Sequence, residues 1–208
     1  MGVAERRLRE KQALRRKSLS TAWQIVKDEG WQALSIRKIA DAIQYSVPVI
    51  YDHFENKEAI LLEFGKRAFD LVIKKMRTAK ASSNDPAAQL KAIADAYWEF
   101  AFANKEYYQL MWGMSAPHCE VGKCMPERSV FRELVMEPMI QLLHLSEKEV
   151  ATKAECVENA ACIKYHTFWS ILHGLISIKM VAPPDDTAQL DKLVLDDAIT
   201  GFIKNLKG

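Results

Sequence analysis

The chain has 208 residues, 49% of them hydrophobic and 27% charged, with a formal net charge of +2. This is an ordinary composition, and the length suffices for a small head and a larger domain with its own core. The basic N-terminus has no apolar run behind it, which argues against a secretory signal, and the longest weakly polar run, residues 165–178, is too short to cross a bilayer. We therefore expect a cytoplasmic protein with no membrane partner.

The charge is unevenly distributed. Residues 1–80 hold 17 Lys and Arg against 10 Asp and Glu, a net +7, whereas the remainder is at −5. Seven cations fall in the first turns of the chain: Arg6, Arg7, Arg9, Lys11, Arg15, Arg16 and Lys17. This run suits an arm or helix start lying along DNA phosphates, and equally a solvated, partly disordered terminus.

The whole chain reads as helical. No stretch sustains the two-residue alternation of a strand, and Gly and Pro divide the sequence into helix-length segments. The pattern predicts an all-α fold of about nine helices. The expected ranges are 10–29, 36–43, 47–53, 56–80, 87–103, 105–114, 128–144, 147–181 and 187–206.

The segment from residue 34 to residue 57 predicts two short helices joined by a tight turn. Ser35 can cap the first helix, and Ser46 can cap a second helix that begins at Val47. The apolar face of the first helix recurs at i, i+3, i+4 and i+7, at Ile36, Ile39, Ala40 and Ile43. This is a helix-turn-helix pattern, and the second helix would enter a DNA major groove.

The same segment carries a family pattern. It reads Leu34-Ser35-x-Arg37-x-Ile39-Ala40-x-x-Ile43, then Ser46-x-x-x-Ile50-Tyr51-x-His53-Phe54-x-x-Lys57-Glu58, and upstream Ala22-Trp23-x-x-Val26 before Gly30. This resembles the TetR family of bacterial transcription regulators. Farther on, Trp169-x-x-x-His173-Gly174 resembles the motif of the WHG type of TetR C-terminal domain. The resemblance implies a three-helix DNA-binding head over residues 1–56 and a helical effector-binding and dimerisation domain over residues 57–208.

Two positions depart from the family pattern. Gln44-Tyr45 stands in the turn where the family usually has Gly-Val, and Pro48-Val49 stands where it often has Gly-Thr. We expect Gln44 to take a positive φ at modest cost. Pro48 falls in the first helical turn, where its missing N–H removes no intrahelical bond.

The expected DNA-binding residues surround the second helix. They are Ser35, Tyr45, Ser46, Val47, Pro48, Val49, Tyr51, His53 and Lys57. Val and Pro can pack on thymine methyl groups, and Tyr45 or His53 can bond phosphate, so sequence reading would rest on apolar contact and DNA shape. Ser35 and Lys57 lie at helix N-termini, which favour phosphate. The competing readings are packing of Val47 and Val49 within the head and a solvated charge at Lys57.

Seven aromatic residues fall between positions 97 and 112, more than one helix face needs. With nearby methionines they can line a cavity for a small effector. The expected lining is Trp98, Phe102, Tyr108, Met111, Trp112, Met139, Trp169 and His173. The alternative is an aromatic-rich core in which His173 is simply hydrogen-bonded.

The last two predicted helices are apolar on more than one side, so each is expected to face both its own domain and a partner subunit. A symmetric four-helix interface, made of these two helices from each subunit, would cover the apolar sides that their own domain leaves open. Its expected residues are Gly174, Ile178, Val194, Ala198, Gly201 and Phe202.

The four cysteines do not form a disulfide framework, and Cys156 and Cys162 point to different faces of a predicted helix, so reduced thiols are expected. His118, Cys119 and Cys124 lie close together in a Gly-containing loop. These three donors match no closed zinc motif, which leaves an ordinary loop as the favoured reading and a metal or redox sensor as its rival.

No motif of an enzyme is present: there is no Gly-rich phosphate loop, no nucleophile elbow and no His-Glu-x-x-His. We expect no catalytic residue, no cofactor and no metal. The favoured hypothesis is a homodimeric repressor that binds a palindromic operator in double-stranded DNA and is released by a small, largely apolar ligand. The alternatives are a thiol- or metal-responsive regulator acting through Cys119 and Cys124, and a DNA-associating structural protein without an effector.

Overall fold

The computed structural model describes residues 2–112, 126–145, 160–181 and 188–207. Over these ranges the fold is all-α, with nine α-helices and one 3₁₀ turn, Trp31–Ala33. The α-helices are α1 Val3–Glu29, α2 Ile36–Ile43, α3 Val47–Tyr51, α4 Lys57–Lys80, α5 Pro86–Ala103, α6 Lys105–Trp112, α7 Glu127–Leu142, α8 Ala160–Val181 and α9 Ala188–Lys207. The prediction of an all-α fold is confirmed.

Most helix ends agree with the sequence pattern, but α1 begins at Val3 rather than near residue 10. Its first turns are rich in strong helix formers, and two i,i+4 ion pairs cross them: Glu5 with Arg9 and Arg6 with Glu10, each at 2.8 Å. The basic run therefore lies on the helix. Helix α3 ends at Tyr51, two residues earlier than expected. The expected start of α8 at residue 147 and the last two residues expected for α6 lie outside the described residues.

The chain forms two compact units. The head unit contains residues 1–68 and 105–124, and the second unit contains residues 69–104 and 125–208. Helix α4 contributes its first part to the head unit and its remainder to the second unit.

The core of the head unit lies among α1, α2, α3 and the start of α4. Helix α2 buries the four positions that its sequence period predicted, and α3 buries Ile50. Phe54 and Phe64 close the same core. Gly30, at φ 81°, ends α1 and lets the chain turn into the 3₁₀ segment.

Helix α6 belongs to the head unit and is held there by aromatic and polar contacts. The ring of Tyr107 stacks on that of Trp23. Trp31 Nε1 donates a hydrogen bond to the carbonyl oxygen of Glu106 at 2.8 Å. The Glu106 carboxylate also pairs with Lys27 at 3.3 Å. These contacts tie α6 to α1 and to the 3₁₀ turn.

In the second unit, helices α5, α7, α8 and α9 pack against one another. Tyr97, Phe131, Phe168 and Trp169 fill the centre of this bundle. On its surface, Lys192 of α9 pairs with Asp95 of α5 at 2.7 Å, a link between the first and last helices of the bundle.

Candidate nucleic-acid interface

The turn between α2 and α3 has the geometry of a helix-turn-helix. Ser35 accepts a hydrogen bond from the backbone N–H of Lys38 at 3.1 Å, so it caps α2 as predicted. At the other end Gln44 takes the left-handed conformation, φ 61° and ψ 44°, which confirms the expected positive φ. The Tyr45 N–H then bonds the Ala40 carbonyl oxygen at 3.0 Å and closes the turn.

The cap predicted at Ser46 is wrong in one respect. Ser46 occupies the N-cap position of α3 with extended backbone, but its side chain makes no capping hydrogen bond. A cap needs the N–H of the second or third helical residue. The second is Pro48, which has none, and the N–H of the third, Val49, bonds the Ser46 carbonyl oxygen at 3.0 Å. The Ser46 hydroxyl remains on the exposed side.

The outer face of α3 is apolar and reaches solvent. Ile50 and Phe54 are buried, whereas Pro48 and Tyr51 are exposed. The remaining expected contacts are Tyr45 and Ser46, which are exposed, and Val47, Val49 and His53, which are half-buried. The structure therefore brings the expected DNA-binding residues between positions 45 and 53 together around one short helix.

Lys57 has a contact that the sequence did not predict. Its Nζ donates to the carbonyl oxygen of Trp31 at 3.4 Å, and its side chain is half-buried. Asn56 caps α4 by accepting from the N–H of Ala59 at 2.8 Å. Lys57 thus links the start of α4 to the 3₁₀ turn, and its ammonium group carries two further protons that can be donated.

An open cleft of about 510 Å³ lies between α1 and α3. Its lining is Glu10, Lys11, Leu14, Tyr45, Val49, Asp52 and His53. Burial, with the nearby charge of Lys11, holds the pKa of His53 below its usual 6.5. His53 Nδ1 has no hydrogen-bond partner among the described residues. Burial and the Lys11 charge both favour the neutral form of the imidazole.

The residues expected to contact an effector divide between the two units. Tyr108, Met111 and Trp112 lie on α6 in the head unit. The other five lie in the second unit, where Trp98 and Phe102 are half-buried on α5 and Met139 is fully buried on α7. The remaining pair, Trp169 and His173, belongs to the aromatic bundle centre.

That centre includes rings that the sequence analysis did not select. Trp169 stacks on Phe131 at 4.6 Å between centroids, and His173 lies 5.6 Å from the Tyr97 ring. These residues come from α5, α7 and α8, so no spacing within one helix reveals them. Burial lowers the pKa of His173 to about 4, and its Nε2 lies 3.5 Å from the Tyr97 hydroxyl. His173 is neutral at physiological pH.

A second open groove, about 560 Å³, lies along α4 and α5 of the second unit. It contains none of the expected effector residues. Leu71 and Thr78 line it together with the ion pair of Lys75 and Glu99, whose N–O distance is 2.9 Å. The Lys75 ammonium holds the pKa of Glu99 below its usual range. This groove is an open surface feature rather than an enclosed cavity.

Most residues expected at a dimer interface lie on the surface of α8 and α9. Gly174, Ile178, Val194 and Gly201 are exposed, and Ala198 is half-buried. Phe202 instead lies inside its own bundle, 6% exposed, with its ring 5.6 Å from that of Phe168. Its position on α9 turns it toward α8 rather than outward.

The expectation of reduced thiols is wrong at Cys162, which is disulfide-bonded. Its side chain is buried, and Nη2 of Arg132 lies 4.0 Å from the sulfur. Helix spacing alone does not predict this bond. The loop with His118, Cys119 and Cys124 lies outside the described residues. Within the described ranges, no three His, Cys, Asp or Glu side chains are grouped so that they could hold a metal ion.

Of the helices in the described ranges, none is both long enough and apolar enough to cross a bilayer.

Comparison with known proteins gives matches to two family models. Residues 19–64 match the bacterial regulatory proteins of the tetR family, and residues 90–197, more than half of the chain, match the tetracyclin repressor-like C-terminal domain. Among curated relatives, the HTH-type transcriptional activator FasR of Mycolicibacterium smegmatis is 29% identical over 94 residues, 45% of this chain. The aligned part spans 43% of the length of FasR.

Solved structures share the fold. A protein of unknown function from Rhodococcus sp. RHA1 has a TM-score of 0.71 at 20% identity, over 94% of this chain and 96% of that one. AibR, solved in complex with isovaleryl coenzyme A and operator DNA, has a TM-score of 0.63 at 17% identity, over 90% of this chain and 96% of AibR. With a helix-turn-helix in its head unit and family models matched in both parts, this chain belongs to the TetR family of DNA-binding transcriptional regulators.

Proposed function

We propose that the chain is a homodimeric repressor that binds a palindromic operator and is released by a small, largely apolar ligand. The observation that carries the proposal is the helix-turn-helix itself. Its first helix is capped by Ser35, its turn is closed through Gln44, and α3 presents an exposed apolar face. In this proposal residues 1–56 act as the DNA-binding domain and residues 57–208 as the effector-binding and dimerisation domain.

In the proposed complex α3 lies in the major groove. Val47, Pro48 and Val49 pack on thymine methyl groups, and Tyr51 lies over the backbone. Phosphate contacts come from the exposed hydroxyls of Tyr45 and Ser46, from His53, and from Ser35 and Lys57 at helix starts. Few of these side chains can form two hydrogen bonds to one base. Operator selection would therefore rest on apolar contact and on DNA shape.

The dimer proposal is supported by an exposed stripe along α8. Its residues recur every three or four positions and all reach solvent: Ile163, Thr167, Ser170, Gly174, Ile178 and Val181. Ile178 is 65% exposed and Val181 85% exposed, while Leu193 on neighbouring α9 is 61% exposed. Side chains this apolar gain free energy when a second copy covers them. Gly174 and Gly201 have open space beside them, so they permit a close helix approach.

The release mechanism is proposed to act through α6. Three expected effector contacts lie on this helix, and α6 is joined to α1 through Trp23 and Tyr107. A ligand that binds better to a displaced α6 would therefore shift α1 and the helix-turn-helix with it. Paired heads would then no longer match half-sites about one helical turn, roughly 34 Å, apart.

The effector class follows from the expected contacts. The neutral imidazole of His173 is an uncharged polar group among aromatic rings. This setting suits a mainly apolar ligand with a single hydrogen-bonding group, such as a carbonyl. AibR, which shares the fold, is solved with isovaleryl coenzyme A, so an acyl thioester is a suitable first probe.

Release is tested with a labelled duplex recovered from a random DNA pool by the purified protein. The duplex–protein complex is titrated with isovaleryl coenzyme A, longer acyl thioesters and uncharged apolar compounds while anisotropy is followed. Release by at least one compound, with coenzyme A alone inactive, is the expected result. Binding that stays constant across the panel would contradict an apolar effector and favour a DNA-associating structural protein. A reporter gene placed behind the operator separates repression from activation, since FasR is named an activator.

A thiol-responsive regulator is the second candidate, and the disulfide at Cys162 is the observation that favours it. If the disulfide controls DNA binding, reduction with dithiothreitol should change the operator affinity of the wild type. The affinity of Cys162→Ser should then be the same with and without dithiothreitol. The loop alternative is tested separately by Cys119→Ser with Cys124→Ser, which should abolish any response to oxidant or metal. Operator affinity that is equal in reducing buffer, in oxidising buffer and with added metal would contradict both versions.

A further inference from the structure

The helix proposed to read DNA carries no positive charge. Residues 44–53, which include the turn and all of α3, contain no Lys or Arg and one carboxylate, Asp52. Burial lowers the pKa of His53, which disfavours its positive charge. Neutralisation of phosphates nevertheless supplies most of the free energy with which proteins bind duplex DNA without sequence preference. The cations must therefore lie on another element beside α3.

Helix α1 is the neighbouring element, and its cations fall into two groups. Arg6, Arg9 and Arg15 are already paired, with Glu10, Glu5 and Glu63, at 2.7 to 2.8 Å. Arg7, Lys11, Arg16 and Lys17 are exposed, and none of the four has a carboxylate partner among the described residues. Their charges remain available to a ligand.

Of these four cations, Lys11 and Lys17 are the two with an observed contact at the cleft beside α3. Lys11 lines the cleft between α1 and α3 together with Val49. Lys17 Nζ lies 5.7 Å from the centre of the Tyr45 ring, which lines the same cleft. Leu14 stands midway between them, three residues from each. At a rise of 1.5 Å per residue, the lysines are roughly 9 Å apart along the helix.

We propose that Lys11 and Lys17 bind DNA phosphates that flank the groove entered by α3, so that α1 adds positive charge beside the base contacts of α3. The separation of about 9 Å is enough for the two ammonium groups to reach different phosphates of one strand, which follow at about 3.4 Å along the axis. The Glu10 carboxylate in the cleft is held by Arg6 and does not compete for Lys11. The proposal rests on the proposed function, because it assumes that the head binds DNA.

The test compares two variants of the full chain that remove the same charge from the same helix. Lys11→Gln with Lys17→Gln removes the two unpaired cations at the cleft, and Arg6→Gln with Arg9→Gln removes two paired ones. Affinity for a fluorescent 40-base-pair mixed-sequence duplex is measured by anisotropy at a series of salt concentrations. All four side chains are exposed, so thermal unfolding should be alike in both variants.

The slope of log affinity against log salt should fall by about 1.8 per chain in the lysine variant, since each lost phosphate contact removes about 0.9. Affinity near 0.1 M salt should fall at least about tenfold. The arginine variant should lose less than half as much on both counts, and Lys11→Arg with Lys17→Arg should restore the wild-type slope.

Equal losses in the lysine and arginine variants would overturn the proposal, because net charge alone would explain them. An unchanged slope in the lysine variant would also overturn it. So would a lysine variant that loses binding to polyglutamate but keeps its binding to DNA, because that result would indicate an acidic protein partner. If the wild-type chain itself shows no salt-dependent binding to DNA, the proposed function fails. This result is distinguishable from a failure of the lysine proposal, in which the wild type binds DNA and the two variants behave alike.

Discussion

Trp23 of α1 stacks on Tyr107 of α6, with ring centroids 4.2 Å apart and planes 18° apart. The two residues are far apart in sequence, yet this contact makes α6 part of the head unit. Trp31 reinforces it through its bond to the Glu106 carbonyl oxygen. We therefore expect a movement of α6 to displace α1, the first helix of the head unit.

We predict that Tyr107→Leu lowers the free energy of unfolding by about 1–2 kcal/mol, because an aromatic stack is replaced by a side chain that only fills space. Tyr45→Leu, at an exposed position, should change it by less than about 0.5 kcal/mol. Urea unfolding of both variants measures the difference. Equal effects would show that the Trp23–Tyr107 contact contributes nothing beyond apolar area.

Val49→Asp should weaken binding to the selected operator by at least about tenfold, because it places a carboxylate on the face proposed to meet DNA. Because Val49 is only half-buried, the substitution should reduce the free energy of unfolding of the variant much less than it reduces operator affinity. Leu71→Asp makes the same chemical change at an exposed position in the second unit and should leave operator affinity within about twofold. If both variants bind equally, α3 does not read the operator.

Gln44→Gly should stabilise the protein by about 0.5–1 kcal/mol, because the left-handed conformation strains a residue with a Cβ more than it strains glycine. Gln12→Gly provides the contrast, since it places glycine inside the exposed first half of α1 and should cost about 1 kcal/mol. Chemical denaturation gives both values, and a shared sign would contradict the conformational account.

His173 should make stability depend on pH below neutrality. Its folded pKa is lowered to about 4 by burial, so the unfolded chain takes up a proton first. The associated stability is present above about 6.5 and is lost as pH falls toward 4. Between pH 7 and 5 the wild type should lose about 1–2 kcal/mol more than His173→Gln. Parallel pH profiles of the two proteins would contradict this.

Ile178→Glu should prevent dimer formation, because it buries a charge where two α8 helices are proposed to meet. Sedimentation equilibrium should give twice the chain mass of 23.7 kDa for the wild type and the single-chain mass for the variant. Leu71→Asp, also exposed, should sediment like the wild type. A monomeric wild type at micromolar concentration would contradict the dimer.

Local features were predictable from the sequence where one short segment contains the cause. The buried face of α2 follows from its spacing, and the positive φ of Gln44 follows from the need to end that helix in a tight turn. The missing cap at Ser46 was not foreseen, because it depends on a combination: Pro48 removes one N–H, and the backbone takes the next.

The aromatic centre of the second unit was the least predictable part. Tyr97, Phe131 and Trp169 are contributed by three helices, and their meeting depends on how those helices cross. The attachment of α6 to the head through Trp23 is of the same kind. Spacing within a helix gives the direction of a side chain but not the identity of its partner on another helix.

Selection from a random double-stranded DNA pool at physiological salt, followed by sequencing of the retained DNA, tests the central claim most directly. The account predicts an enriched inverted repeat, with half-sites about one helical turn apart and recovery that is lost with Val49→Asp. Salt-dependent retention without any enriched sequence would contradict it, because the head would then bind DNA without reading an operator.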